Sequence, residues 1–326
     1  MMNPSRRTVL VSAAGFLAAS SIPTFAQSTF PTRAIRLVVP FPPGGSTDVA
    51  ARTIAERLSN EYGQPVIVDN RPGAGTTIAA TSVAAATADG HTLFITGTIS
   101  HASAAALYPN LQYDPIKSFE AVGFVTESPF ILVVNSASPY RSVQDLLQAA
   151  RAQQGNITYS SSGNGAAPHL STELMGRSAG VRFQHIPYKG VGPALTALLA
   201  NEVQFTVADT GAVPHIASGR LRALSVLSAN PSSMIANVPG LSASGIRDVD
   251  ISSNLGILAP AGTPAAVLDR LNSSLNRALA QDEIKTKLSG LGQMAVPRPR
   301  AEFQNTLAND VRRYASVVKE AGIRID

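Results

Sequence analysis

The chemically suggestive stretches of this 326-residue sequence are built from hydroxyls, small amides and bare backbone N–H groups rather than from charges. The first is Val38-Val39-Pro40-Phe41-Pro42-Pro43-Gly44-Gly45-Ser46-Thr47-Asp48. It follows the apolar run Ile35 to Val39 and precedes an apolar-periodic segment, Val49 to Leu58, which predicts strand, tight loop and helix. The paired glycines let backbone approach closely, and Phe41 places an aromatic ring in the loop. Ser46 or Thr47 can cap the helix. A helix start with spare N–H groups is an anion site; the alternative is a plain βα turn. The second stretch, Ser160-Ser161-Ser162-Gly163-Asn164-Gly165 through His169, repeats the device ahead of a helix at 170–175. Two more Gly/Thr/Ser loops, Asp69 to Thr77 and Thr96 to His101, also stand between apolar runs and small-residue helices.

Catalytic chemistry finds little material here. The sequence has no cysteine, no Gly-x-Ser-x-Gly elbow and no Walker loop. Gly163-Asn164-Gly165 is only part of a dinucleotide fingerprint, because Pro168 stands where the third glycine should be. His169 and Glu173 share a helix face at i, i+4, which allows a metal ligand pair or an ordinary first-turn histidine. Asp69 and Asp209 each end a strand. Asp69 reads as a turn or cap carboxylate, and Asp209 as either a cap or a site group. No catalytic residue, cofactor or metal is expected.

The elements that position these loops follow from the patterning. Three strand–loop–helix units in a row predict a parallel sheet whose loops gather at one edge. Around residues 119–134 two apolar runs are joined by Thr126-Glu127-Ser128-Pro129, the expected crossing into a second domain. Leu221 to Leu227 is the candidate return. The expected organisation is a first domain of residues 27–125 with 228–326 and a second of residues 126–227, with a final strand and two helices, from Thr263 and from Phe303, covering the first. The fold class expected is α/β, two lobes each with a mostly parallel sheet flanked by helices.

Residues 1–26 read as an export leader: Arg6-Arg7, an apolar stretch from Val9 to Ile22, and Thr24-Phe25-Ala26 at the cleavage end. The route is Sec or twin-arginine. Without cysteine there is neither lipid anchor nor disulfide framework, so a free periplasmic protein is expected. Beyond the leader stand 24 Lys and Arg against 21 Asp and Glu, a formal charge of +3. The excess is spread along the chain with no basic run, which excludes a nucleic-acid partner. No later stretch is long and apolar enough to span a bilayer.

The chain resembles the Bug-type solute-binding proteins of tripartite tricarboxylate transporters. The resemblance is carried by Val-Pro-Phe-Pro-Pro-Gly-Gly-Ser-Thr-Asp at 39–48, Asp-Asn-Arg-Pro-Gly-Ala-Gly at 69–75 and Tyr-Ser-Ser-Ser-Gly-Asn-Gly at 159–165 with His169-Leu170. Pro-Tyr-Lys-Gly at 187–190, Pro214-His215-Ile216 through Leu224, and Leu-Ala-Pro-Ala-Gly-Thr-Pro at 258–264 add to it. It implies a two-lobed Venus-flytrap fold that closes on a small organic carboxylate and delivers it to membrane permease subunits. Separately, a monomer is expected. It implies a ligand site of Phe41, Gly45, Ser46, Thr47, Thr98 and Ser100 facing Ser161, Asn164, Gly165 and His169, with Asp209 toward the far end of the ligand. Two departures from the family pattern remove bulk: Ser253-Asn254-Leu255 before Gly256, and Val207-Ala208 before Asp209. Two other readings stay open: a sensing module using the same pocket, and a secreted hydrolase built on Ser161, His169 and Asp209.

Overall fold

The computed structural model describes residues 30–228, 235, 237–246, 249 and 251–324. The expected leader lies outside these residues. β1 (Ile35–Val39), β2 (Val66–Asn70) and β3 (Thr92–Gly97) lead into α1 (Ser46–Tyr62), α2 (Thr77–Ala84) and α3 (Thr98–Leu107). β1 pairs in parallel with both β2 and β3. Its side chains alternate between two cores. Leu37 and Val39 join Ile54 and Leu58 of α1, whereas Val38 joins Phe94 and the α2–α3 side. A strand buried on both faces reads as an unbroken apolar run.

β4 (Phe119–Pro129) and β5 (Ile131–Asn135) are separated by Phe130 alone, yet they belong to different sheets. The second sheet then collects β6 (Thr158–Ser161), β7 (Gln184–Pro187), β8 (Phe205–Ala208) and β9 (Leu221–Val226) in the order β7-β6-β8-β5-β9. Its helices are α4 (Val143–Ala152), α5 (Ala167–Ala179), α6 (Val191–Leu199) and the short α7 (Val213–Ala217). The chain re-enters the first sheet as β10 (Ser252–Pro260). After α8 (Ala265–Leu279) and α9 (Asp282–Gly290) come β11 (Met294–Ala295) and α10 (Arg300–Ala321). The first sheet is ordered β11-β4-β10-β3-β1-β2. α9 and β11 were not expected from the sequence, which pointed to one strand and two helices in this part.

Both sheets are mixed, which corrects the expectation of mostly parallel ones. β10 runs antiparallel to β3 and β4, and β5 runs antiparallel to β8 and β9. The crossings are the cause. A strand that leaves one lobe through its sheet must enter the other against the βα units already there.

The two crossings touch at the hinge: Leu227 N donates to Phe130 O at 2.8 Å, and Ile251 N donates to Leu227 O at 3.1 Å. One apolar cluster is continuous through this side. It contains Phe94 and Phe124 of the first lobe, Tyr159 and Phe205 of the second, and Phe303 and Tyr314 of α10. Gly256 is where β10 gives way to α10, since any side chain there would strike the Phe303 ring. Arg177 of α5 bonds Ser316 and pairs with Glu320 of α10, adding a polar tie between the lobes.

Candidate ligand-binding cleft

The loops singled out in the sequence meet across one cavity of about 750 Å³ between the lobes. Four helices aim their N-termini at it. α1 starts after Gly45, α3 after Gly97, α5 after Ala166 and α6 after Gly190, and none of the four has a side chain capping its first turn. Of the helices away from the cavity, α4 carries a full capping box from Ser142 and Asp145, whereas α8, α9 and α10 are also without a capping side chain. The expectation that Ser46 or Thr47 caps α1 is corrected: Gly45 is the cap residue and Ser46 the first helical one. The uncapped first-turn N–H groups and the positive helix ends favour a negative charge.

The opening loop is held from behind by Asp48. Its carboxylate accepts from Gly44 N at 2.9 Å, Arg52 Nε at 3.0 Å and Asn70 Nδ2 at 2.8 Å. Asn70 Nδ2 also donates to Phe41 O at 3.0 Å. Burial would raise the Asp48 pKa, but Arg52, Gly44 and Asn70 outweigh it and hold the group at about 2. Phe41, Pro42, Gly45, Ser46 and Thr47 thereby stand on the cavity wall.

Of the eleven residues the resemblance assigned to the site, nine line this cavity: Phe41, Gly45, Ser46, Thr47, Thr98, Ser100, Asn164, Gly165 and Asp209. Ser161 and His169 do not. Ser161 is the last residue of β6, not part of the loop, and its side chain turns inward, where Oγ lies 2.6 Å from His185 Nε2. His169 falls in the first turn of α5 and turns back to accept from Gly165 N through Nδ1 at 3.0 Å. The two imidazoles stack at 3.7 Å. Burial pushes His169 down to about 3, helped by His185, and pushes His185 down to about 4. Both rings are neutral props beneath the Ser162–Gly165 loop. A hydrolytic assembly of Ser161, His169 and Asp209 does not form, because Ser161 is 1% exposed and bonded to a different histidine.

Glu173 accepts from Tyr159 Oη at 2.7 Å instead of pairing with His169. Among the described residues no His, Asp or Glu cluster has the geometry of a metal site. Asp69 lies away from the cavity lining and pairs with Arg71 Nε at 2.9 Å and Arg36 at 3.7 Å, an ion pair rather than the expected turn or cap hydrogen bond.

Asp209 is the one charged side chain on the cavity wall among the described residues. Burial raises its pKa, opposed by the Gly211 N–H that it accepts at 2.9 Å. The cavity wall also holds residues the sequence reading left out of the site. Thr126, Ser128 and Phe130 line the cavity from one face of the first crossing. Their spacing of two is the signal that a strand turns them the same way. Gln293 comes from the unexpected α9–β11 turn. Thr76 is another omission. It is buried, takes a left-handed φ of 83°, and its hydroxyl has no partner among the described residues. A β-branched residue with positive φ is rare and marks a constrained position.

Two α/β lobes joined by adjacent crossings, with an interlobe cavity ringed by helix N-termini, define a solute-binding protein of the Venus-flytrap class. The family described as "Tripartite tricarboxylate transporter family receptor" matches residues 50–323. BugT of Bordetella pertussis is 34% identical over 299 residues, which span 91% of this chain and 92% of BugT. The solved structure of R. palustris Rpa4515 with adipate aligns with a TM-score of 0.79 at 34% identity, over 91% of this chain and all of that one. MatC (Rpa3494) from Rhodopseudomonas palustris with bound malate aligns at 0.76 and 32%, over 89% of this chain and all of MatC. The chain belongs to the tripartite tricarboxylate transporter receptor family and is of the Bug type.

Proposed function

We propose that this receptor captures a small organic acid anion in the interlobe cleft and delivers it to the membrane subunits of a tripartite tricarboxylate transporter. The observation that carries the reading is the convergence of four helix N-termini, without a capping side chain, on a cavity that holds no Lys, Arg or His among its described lining residues. Such a site binds a carboxylate through backbone N–H groups and hydroxyls and so avoids burying a cation. The bound adipate and malate of its relatives support the ligand class. Ser46 and Thr47 on one lobe and Asn164 and Gly165 on the other hold the carboxylate. Asp209, Asn254, Ser128 and Gln293 face whatever the anion carries behind it. Domain closure about the adjacent crossings at residues 125–131, 226–228 and 251–252 makes contacts available only in the closed state, so the ligand shifts the population toward it. Residues 27–125 with 228–326, and 126–227, are the two moving bodies. The protein binds without turnover, works as a monomer, and reaches the periplasm free of a lipid anchor through the leader at residues 1–26.

Calorimetry on protein stripped of endogenous ligand tests this, with a panel of mono-, di- and tricarboxylates that includes aromatic acids. Micromolar or tighter binding of at least one member is expected. Absence of heat across the whole panel refutes the reading.

A further inference from the structure

Beside Asp209 on the cavity wall, the two lobes touch. Thr210, in the turn after β8 of the second lobe, donates its hydroxyl to Leu291 O of the first lobe at 3.0 Å. The next residue, Gly292, lies flat against the same side chain: a Cβ built there would come within 2.6 Å of Thr210 Cγ2 and Oγ1. Gly292 has φ of +71°, so both its backbone and its neighbour favour glycine. Beyond the contact lies a second cavity of about 910 Å³, with Lys285 and Ser289 on its wall. The two cavities share Gly45, Ser46, Val191, Asp209, Thr210 and Gln293 as lining, so the second borders both the α1 loop and the Thr210 seam.

We propose that Thr210 and Gly292 form an interlobe gate that closes the ligand cavity at its Asp209 end and thereby sets the longest ligand the receptor takes. The proposal rests on the carboxylate reading given above. A ligand that fits short of the gate is enclosed when Thr210 reaches Leu291. A longer one holds the gate apart and loses closure. The hydrogen bond and the bare Gly292 surface join residues from different lobes, so both belong to the closed state and add nothing within either lobe.

The test compares wild type, Thr210→Ala and Gly292→Asn by calorimetry with linear dicarboxylates from malonate to sebacate. Asparagine visits the left-handed backbone more readily than other residues with a side chain, so Gly292→Asn adds a wedge at the smallest backbone cost. Thr210→Ala joins the cavities, and its preferred chain length is expected to move to longer members. Gly292→Asn is expected to lose about tenfold or more in affinity for every member that wild type binds, with an unchanged melting temperature in the ligand-free state. A Thr210→Ala chain-length profile that superimposes on wild type overturns the gate, and so does a Gly292→Asn protein that binds like wild type. If Gly292→Asn does not fold, Thr210→Ala decides alone. If wild type binds none of the acids, the carboxylate reading fails by itself, and the gate is judged by small-angle scattering of the ligand-free proteins. Gly292→Asn puts a side chain where Thr210 now lies and is expected to hold the lobes further apart than in wild type; superimposable curves overturn the gate.

Discussion

Ser46 and Asn164 line the cavity from opposite lobes, one from the start of α1 and one from the loop ahead of α5, and in the proposed function both face the anion. A hydrogen bond to a charged group is worth about 1.5–3 kcal/mol. Ser46→Ala and Asn164→Ala should each weaken binding of the best acid in the panel by roughly that amount, read as calorimetric Kd. Unchanged affinity in both places the carboxylate elsewhere. Thr76 makes a different forecast. Its left-handed backbone costs about 1–2 kcal/mol, whereas glycine at the same place costs about 0.5–1 kcal/mol of entropy. Thr76→Gly should therefore leave stability to urea equal or slightly higher, and it also removes a buried hydroxyl that has no partner among the described residues. A clear drop in stability contradicts the strain argument. Ser161 and His169 show where reading residue by residue falls short. Ser161 ends β6, and the register of that strand turns its hydroxyl to His185. One residue further on, Ser162 lines the cavity.

The β6–loop–α5 element rests on two neutral histidines. Their pKa values in the folded protein, about 3 and about 4, lie below the ordinary 6.5. Between those limits the unfolded chain binds more protons than the folded one, so stability rises with pH there. The stabilisation is complete above about 6.5 and is lost as pH falls toward 4, with a slope of up to about 1.4 kcal/mol per pH unit for each histidine. Half-buried Glu173 and buried Asp310 have pKa values raised by desolvation and act with the opposite sign. The informative measurement is therefore the difference between wild type and His185→Gln in urea unfolding from pH 7 to 4. The variant keeps a polar partner for Ser161 and should show the shallower slope; parallel curves reject the assignment. α10 is a second element whose role is legible from packing. Phe303 lies on the bare backbone at Gly256, fully buried. Phe303→Ala should cost about 3–5 kcal/mol, seen in urea unfolding. Arg177→Ala removes an exposed tie to α10 and should cost no more than about 1 kcal/mol.

For the whole molecule, closure is the functional event. Saturating ligand should contract the protein in small-angle scattering. Bound at a hundred times its Kd, it should also stabilise the fold by about 2.7 kcal/mol. An acid that raises the melting temperature without contraction would point to binding on one lobe only. The sequence alone carried the βα units of both lobes, because strands buried on both faces read as apolar runs and tight βα loops demand glycine and hydroxyl residues. It carried the family too, since the loop motifs are contiguous in the chain. It also marked the crossing near residue 130, where two apolar runs abut. It did not carry the mixed direction of the sheets, which follows from how each crossing strand must enter the opposite lobe. Nor did it carry α9 and β11, whose nine and two residues are too short to show a period. The cavity wall from Thr126, Ser128 and Gln293 and the seam between Thr210 and Gly292 were decided by tertiary structure alone. These residues lie far apart in sequence and meet only because two lobes fold back upon each other across the hinge.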